Sequence, residues 1–237
     1  LNMLIVSITA DQLAQFDELI VAVDAPDSAG SGLQVIARIA PPVEALAVAE
    51  ALLATDGSLA QLNAQAQLVI DHIDLMQREI NGGTLRELRR HAEHVVNLVE
   101  GASGEHFGDL DGDGVSQNPG DDIGVLAHLD GVSAAVLSLP QDTDEQVFYT
   151  AIWLDAIEIV RGHAVVVVDQ ALRVNATDSP AEAQPFVTGA FASGVSMLDG
   201  TDADGNGVIE MFSGEFGIRS LDEQASTLVV AQMFSEG

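Results

Sequence analysis

The chain has 237 residues, enough for one large or two small domains with a sizeable core. Its 37 acidic residues outnumber its 8 basic residues, all of them arginine, so the formal net charge is −29. Such a charge repels nucleic acid and anionic lipid, and we expect neither as a partner. It attracts divalent cations instead.

Cysteine is absent, which excludes disulfides, thiol catalysis and iron–sulfur clusters. Hydrophobic residues still make up 47% of the chain, more than an acidic disordered protein contains. The apolar stretches are interrupted by charged residues, so no membrane span is predicted. The chain has no GxSxG, P-loop, GxGxxG or HExxH motif. We therefore expect no enzyme and no small-molecule substrate.

Residues 1–57 predict a small mixed α/β segment. The runs LNMLIVSIT and GLQVIARIA are rich in β-branched residues and are typical of short strands. DQLAQFDELIVAV fits a helix or a strand, and PDSAGSG is a loop. A helix is predicted in VEALAVAEALLA, after Pro41 and Pro42. This segment either packs on its own core or docks on a neighbouring copy.

Two helices are predicted next, separated by Asn81, Gly82 and Gly83. The first contains LVIDHIDLMQREI. In the second, TLRELRRHAEHVVNLVEG, apolar residues recur every three or four positions and form one helical stripe. Thr84 with Glu87 predicts a capping box, and Gly101 predicts the helix end.

An acidic loop with the spacing of a calcium site follows, in DLDGDGVSQNPGDDIGV (residues 109–125). Ca²⁺ takes six to eight oxygen ligands, and alternate residues of a wrapped loop supply them. A sharp turn is needed at position 6, where Gly114 stands. We expect ligands at positions 1, 3, 5, 7 and 9, which are Asp109, Asp111, Asp113, the carbonyl of Val115, and Gln117. The Val115 side chain is then free to point into the core.

The same pattern returns 93 residues later in DADGNGVIEMFSGEFGI (residues 202–218). The corresponding expected ligands are Asp202, Asp204, Asn206, the carbonyl of Val208, and Glu210. Each copy also has a distal acid at position 14, which is Asp122 in the first and Glu215 in the second. DG and NG are strong turn formers, so solvated acidic turns without metal are the alternative.

Over about a dozen residues each, the two loops resemble those of the EF-hand and dockerin families, which implies two Ca²⁺ sites. An EF-hand loop closes with a bidentate Glu at position 12. This chain has Gly120 and Ser213 there, so we expect longer loops closed by Asp122 and Glu215. The block HAEHVVNLVEG…GDLDGDG…NPGD also resembles, over about 35 residues, a segment of uncharacterised secreted bacterial proteins. That resemblance implies an extracellular bacterial origin and no particular activity.

The second half of the chain predicts another helix pair and an internal duplication. Residues 146–174 are apolar almost all round, as in a buried central helix, although the valine run 165–168 also suits a strand. AEAQPFVTGAF follows the break NATDSP, and helix-like stretches follow both loops at residues 124–139 and 218–234. His72 and His163 precede two Ala-Ser-Gly triplets by 30 and 29 residues. This spacing suggests equivalent positions in two repeats.

The histidines offer an alternative metal site. His91 and His94, at i and i+3, lie on one helix face, and His72 on the preceding antiparallel helix is expected nearby. Three imidazoles in a bundle bind Zn²⁺ or Cu²⁺, and two ligate haem. Surface hydrogen bonding by these side chains is the simpler explanation.

These patterns predict a mainly α, internally duplicated helical bundle, with helix–turn–helix–calcium loop–helix occurring twice. The predicted parts are a mixed α/β segment at 1–57, repeat 1 at 58–140 with its calcium loop at 109–122, and repeat 2 at 141–237 with its loop at 202–215. The predicted function is that of a calcium-stabilised extracellular or cell-surface structural protein that assembles with copies of itself into a surface layer, matrix or filament. The alternative is a histidine metalloprotein for transition-metal or haem binding and electron transfer. No signal-peptide pattern is visible and the chain begins at Leu1, so we expect a processed or truncated chain.

Overall fold

The computed structural model describes residues 19–24, 33–39, 43–54, 57–210 and 214–234. Strands β1 (Leu19–Asp24) and β2 (Leu33–Ile39) pair antiparallel, with Leu19 opposite Ile39 and Asp24 opposite Leu33. β1 lies in the run that fitted either a helix or a strand, and β2 lies in GLQVIARIA. LNMLIVSIT, PDSAGSG and the two prolines lie outside the described residues.

All other described elements of regular structure are helices, so the prediction of a mainly α fold is confirmed. They are α1 (Val43–Leu53), α2 (Ser58–Ile80), α3 (Leu85–Glu100), α4 (Val125–Leu137), α5 (Asp144–Asn175), α6 (Pro180–Asp199) and α7 (Ile218–Phe234). Within the described part of the chain, no helix is long and apolar enough to cross a membrane.

Four of these helices form a closed ring. α2 packs on α3, α3 on α5, α5 on α6, and α6 on α2. Their inward faces share one apolar core, which includes Val69, Ile73, Val95, Ile157, Val160, Val167 and Met197. Burial of such side chains contributes about 1.5–3 kcal/mol each, so this core is the main source of stability. α4 and α7 are not part of the ring, and each packs on both α2 and α5.

The predicted buried central helix, residues 146–174, differs from expectation in its outer face. α5 is helical throughout the valine run, so a strand does not form there. The 3.6-residue period turns Val167 and Val168 into the core, while Val165 and Val166 remain 53% and 42% exposed. The run lies in the middle of a long helix whose inner face packs on the core. This tertiary packing overrides the β preference of valine.

Capping side chains start three of the helices, α3, α5 and α6. Thr84 accepts a hydrogen bond from the Glu87 N–H at the start of α3, but its own N–H donates to the Glu79 carboxylate, so Thr84 and Glu87 form half of the predicted box. A full capping box occurs at Thr143 and Gln146, where α5 begins. Gly101 ends α3 as predicted.

The Ala-Ser-Gly triplets do not mark equivalent positions. The first, at Ala102, lies beyond the end of α3, whereas the second, at Ala192, lies inside α6. The helix ends correspond better, since α3 and α6 both begin after a hydroxyl N-cap and both end at a glycine. α6 has 20 residues and α3 has 16. His72 also lies 13 residues before the first residue of α3, whereas His163 lies 17 residues before that of α6, so the similar spacings to the triplets join different helix positions.

The glycines that end α3 and α6 make the same close contact. Gly101 and Gly200 have positive φ angles of 69° and 87°. A Cβ atom would lie 1.9 Å from the Ile123 carbonyl oxygen at Gly101, and 2.2 Å from the Glu215 carbonyl oxygen at Gly200. The next N–H, that of Ala102 or Thr201, donates to a residue returning from the acidic loop at 2.8 or 2.9 Å. Only glycine fits this junction.

We therefore expect Gly101→Ala and Gly200→Ala each to lower the free energy of unfolding by about 2 kcal/mol or more, because strain and overlap add. Urea denaturation followed by circular dichroism measures this. Gly131→Ala is the matched control, since Gly131 is an exposed position of α4 and a Cβ there meets nothing within 4 Å. It is expected to raise stability by about 0.5–1 kcal/mol. Wild-type stability of both junction variants would contradict the account.

Candidate metal sites

In loop 1 (residues 109–122), the loop's own main chain orients the aspartate side chains. The Asp109 carboxylate accepts hydrogen bonds from the N–H groups of Gly112 and Gly114, both at 2.8 Å. Asp111 accepts one from the N–H of Asp113 at 2.9 Å. Both glycines have positive φ, at 80° and 92°, which lets the chain curl around these carboxylates.

Loop 2 (residues 202–215) repeats this geometry at the matching positions. The Asp202 carboxylate accepts from the N–H groups of Gly205 and Gly207, both at 2.8 Å. Asp204 accepts from the N–H of Asn206 at 3.0 Å. The glycine φ angles are 76° and 84°. The two loops therefore have one backbone design as well as one sequence pattern.

A buried glutamate closes loop 1, and it comes from α3. Glu93 is 1% exposed. Its Oε2 accepts from the N–H groups of Leu110 at 2.8 Å and Asp111 at 3.1 Å, and its Oε1 accepts from Gln117 at 2.8 Å. Glu93 thus binds the main chain at loop positions 2, 3 and 9.

Glu215 does the same in loop 2, from the other end of the loop. It is also 1% exposed. Its Oε1 accepts from the N–H groups of Ala203 at 2.8 Å and Asp204 at 3.3 Å, and its Oε2 accepts from Glu210 at 2.9 Å. These are again loop positions 2, 3 and 9. One carboxylate geometry is therefore reached from two different places in the chain.

The ligand atoms of the acidic groups lie within 4.8 Å of one another in each loop. The groups are Glu93 with Asp109 and Asp111, and Glu215 with Asp202 and Asp204. Of the two acids expected at position 14, Glu215 joins its group, while Asp122 is exposed, has a φ of 65°, and lies outside the group found among the described residues. In loop 1 the buried acid that joins the two aspartates is Glu93.

The sequence patterns did not assign Glu93 to either loop. A sequence signal was nevertheless present, because Glu93 lies three residues before Val96, at the edge of the apolar stripe of α3. An acidic side chain there must be buried, and buried carboxylates need donors.

The remaining predicted loop residues are exposed or point elsewhere. Val115 and Val208 are 55% and 57% exposed. The valine at position 7 therefore does not point into the core, contrary to expectation. Leu110 packs against the core from loop 1 instead. The Gln117 side chain, a candidate calcium ligand at position 9, places its Oε1 atom 3.0 Å from His94 Nε2. Asp113 and Asn206 each accept a hydrogen bond from the N–H two residues later, at 2.9 and 2.8 Å.

Loop 1 is also held by Asn97, which sequence analysis did not single out. Asn97 is fully buried, one helical turn after Glu93. Its Nδ2 donates to the carbonyls of Gly108 and Gln117 at 3.1 and 2.8 Å, and its Oδ1 accepts from the Gly108 N–H at 3.0 Å. α3 therefore holds residues 108–117 through the polar side chains of Glu93 and Asn97.

The three histidines named by sequence analysis come together between α2 and α3. His72 Nδ1 lies 3.2 Å from His91 Nδ1 and 3.3 Å from His94 Nδ1. His91 and His94 are each 8% exposed. Burial, together with the neighbouring His94 and His91, lowers the pKa of His72 to about 4. Burial and His94 also lower the pKa of His91, so both imidazoles are neutral at pH 7.

The other histidines have separate surroundings. His106 Nδ1 lies 2.8 Å from the Glu100 carboxylate, and this hydrogen bond raises the pKa of His106. His128 Nε2 lies 2.7 Å from Asp121 Oδ2, while Asp121 Oδ1 accepts from the Ile123 N–H at 2.9 Å just before α4. His163 is half-buried on α5, and burial lowers its pKa.

Comparisons with protein-family models, curated proteins and solved structures gave no match.

We expect Glu93→Gln to lower the free energy of unfolding by about 1.5–3 kcal/mol in a chelating buffer, since it replaces charge-assisted hydrogen bonds and brings an NH₂ group against an N–H donor. It should also weaken Ca²⁺ binding in loop 1. Urea denaturation and calcium titration calorimetry measure the two effects. Asp122→Asn is the control, because asparagine accepts a left-handed backbone and should change neither quantity. Loss of calcium affinity in Asp122→Asn alone would return the closing role to Asp122.

Proposed function

We propose that the protein is a calcium-stabilised extracellular structural protein whose folding or assembly requires Ca²⁺. The observation that carries this proposal is the shared closure of both loops. In each, a buried glutamate accepts the N–H groups at positions 2, 3 and 9, and the loop's first two aspartates gather beside it. Carboxylate and carbonyl oxygens are the ligands that Ca²⁺ prefers.

Electrostatics supports a cation in loop 1. Two carboxylates about 5 Å apart near a protein surface repel by roughly 3 kcal/mol, and three such groups meet here, two from the loop and Glu93 from α3. In addition, Asp111 Oδ2 is buried without a hydrogen-bond partner among the described residues. A buried, unpaired carboxylate oxygen is costly. A cation beside Asp109, Asp111 and Glu93 would offset both the repulsion and the desolvation.

We also propose that the chain is internally duplicated, as residues 58–140 and 141–237, with residues 1–57 as a separate segment. Matching helix contacts support this proposal. The α2–α3 pair corresponds to α5–α6, and the α3–α5 contact corresponds to α6–α2. α4 and α7 then take corresponding places, each following its loop and packing on both α2 and α5. The glycine junctions at Gly101 and Gly200 correspond as well.

This arrangement explains how the ion would stabilise the fold. Each loop lies between a ring helix and a helix that packs on both halves, α4 after loop 1 and α7 after loop 2. Closing the loop fixes the path into that helix. A ligand that binds only the folded chain contributes about 2.7 kcal/mol at a free concentration of 100 times its Kd. Calcium would therefore stabilise the connection between a ring helix and the helix that follows the loop.

Calcium affinity supports an extracellular location, and one surface supports self-association. Loops of this kind bind Ca²⁺ weakly in extracellular modules, where millimolar calcium fills them. The outer surface of α4 and α5 also exposes large apolar side chains, at Leu137, Val147, Phe148, Val165 and Val166. Copies of the same chain are the partner that we propose for this surface, in a surface layer, matrix or filament.

We expect removal of Ca²⁺ by excess EGTA to lower the melting temperature, because the binding energy of the folded state is lost. Asp111→Ala combined with Asp204→Ala should melt at the same lowered temperature with or without Ca²⁺. Differential scanning calorimetry in both buffers measures this. Asp155→Ala combined with Glu223→Ala removes the same charge from exposed helix positions and should keep the full calcium response. A wild-type melt that EGTA leaves unchanged would refute the calcium proposal.

Self-association has its own test. Sedimentation velocity of the wild-type chain should show larger species in millimolar Ca²⁺ than in EGTA. Monomers at every calcium concentration, together with a calcium-dependent melt, would contradict assembly and leave the stabilising role of calcium intact.

A further inference from the structure

We propose that His72, His91 and His94 bind one divalent transition-metal ion of the Zn²⁺ type through their Nδ1 atoms. This site is separate in chemistry from the acidic loops, because imidazole nitrogen suits Zn²⁺, Cu²⁺ and Ni²⁺, whereas Ca²⁺ takes oxygen. α2 provides one ligand, and α3 provides two from consecutive turns of one face.

The distances fit a single tetrahedral ion. Two ligands about 2.05 Å from Zn²⁺ at the tetrahedral angle lie about 3.3 Å apart. His72 Nδ1 lies 3.2 Å from His91 Nδ1 and 3.3 Å from His94 Nδ1, and one nitrogen from each ring lies within 4.8 Å of the others. Haem fits less well, because two axial nitrogens lie on opposite sides of the iron, about 4 Å apart, with the porphyrin between them.

Hydrogen bonding within the protein does not account for this convergence. The Gln117 Oε1 atom lies 3.0 Å from His94 Nε2, so it accepts the Nε2–H and leaves a lone pair on His94 Nδ1. His72 Nδ1 carries either one proton or one lone pair in the plane of its ring. It can therefore satisfy only one of its two short contacts. A cation between the three rings would accept all three lone pairs.

Gln117 supplies the kind of support that metal-binding histidines have. A ligating histidine usually donates its other N–H to a carboxylate or carbonyl oxygen, which fixes the ring and its tautomer. Gln117 does this for His94, and Gln117 is itself fixed, since its N–H donates to Glu93 and its carbonyl accepts from Asn97. It is a positioning residue for the site and also belongs to loop 1.

The test measures Zn²⁺ binding by titration calorimetry on the full chain in millimolar Ca²⁺, so that calcium competes for the acidic loops. We expect one Zn²⁺ per chain, and we expect His72→Asn and His91→Gln each to weaken binding by more than 100-fold, beyond the roughly 10–100-fold that loss of an outer partner costs. His163→Asn is the matched control, since it removes another half-buried imidazole that is not in the cluster. Circular dichroism checks that each variant is folded.

Spectroscopy separates the site from a structural histidine cluster even where a variant fails to fold. Co²⁺ bound to the wild-type chain should give the intense visible bands of a tetrahedral, nitrogen-ligated ion. Gln117→Ala should weaken binding by about 10–100-fold and alter this spectrum. Gln117→Glu should retain both affinity and spectrum, because a carboxylate also accepts the His94 Nε2–H, and glutamate already stands at the matching place in loop 2, as Glu210.

Three results would overturn the proposal. They are no Zn²⁺ uptake by the calcium-loaded wild type, equal Zn²⁺ affinity in folded His72→Asn and His163→Asn, or only the weak bands of octahedral Co²⁺. None of these would affect the calcium proposal, which rests on the EGTA melt.

Discussion

A single buried carboxylate with three main-chain donors holds each acidic loop in place. In loop 1 it is Glu93 and in loop 2 it is Glu215, and both bind the N–H groups at positions 2, 3 and 9. Because a buried charge is costly unless its hydrogen bonds are satisfied, the glutamate and the loop backbone each require the other. The aspartates of the loop are then brought together whether or not this arrangement is electrostatically favourable for them.

The two loops reach this geometry differently because their approach from the preceding helix differs. Loop 2 begins two residues after the C-cap glycine of α6, at Asp202, whereas loop 1 begins eight residues after Gly101, at Asp109. The longer approach lays loop 1 along α3, within reach of Glu93 and Asn97. The buried acid of loop 1 therefore comes from α3, and Asp122 is exposed.

Local patterns were sufficient to predict features that local forces determine. The 3.6-residue stripe, Thr84 and Gly101 gave α3 nearly to its ends, and the DxDxDG spacing gave the turn positions of both loops. Features fixed by packing between distant segments were not predictable in this way. The position of Glu93 at the edge of the apolar stripe indicates burial, but its donors are identifiable only once α3 is known to lie beside residues 110–117. Val165 is exposed only because α5 presents its opposite side to the ring. The convergence of His72 on His91 and His94 was predicted, since two antiparallel helices joined by a short turn must face each other.

The histidine cluster lies in one half of the proposed duplication. Counting back from the C-cap glycines Gly101 and Gly200, the positions of His91, Glu93 and His94 correspond to Ala190, Ala192 and Ser193. The small side chains at these three positions cannot reach loop 2, and the buried glutamate of loop 2, Glu215, lies within the loop itself. On α3 the same positions place Glu93 and His94 side by side, with Gln117 contacting both. In this half, Glu93 of α3 holds loop 1, and Gln117 of loop 1 in turn orients His94 on α3. The geometry of loop 1 and that of the histidine cluster therefore depend on each other.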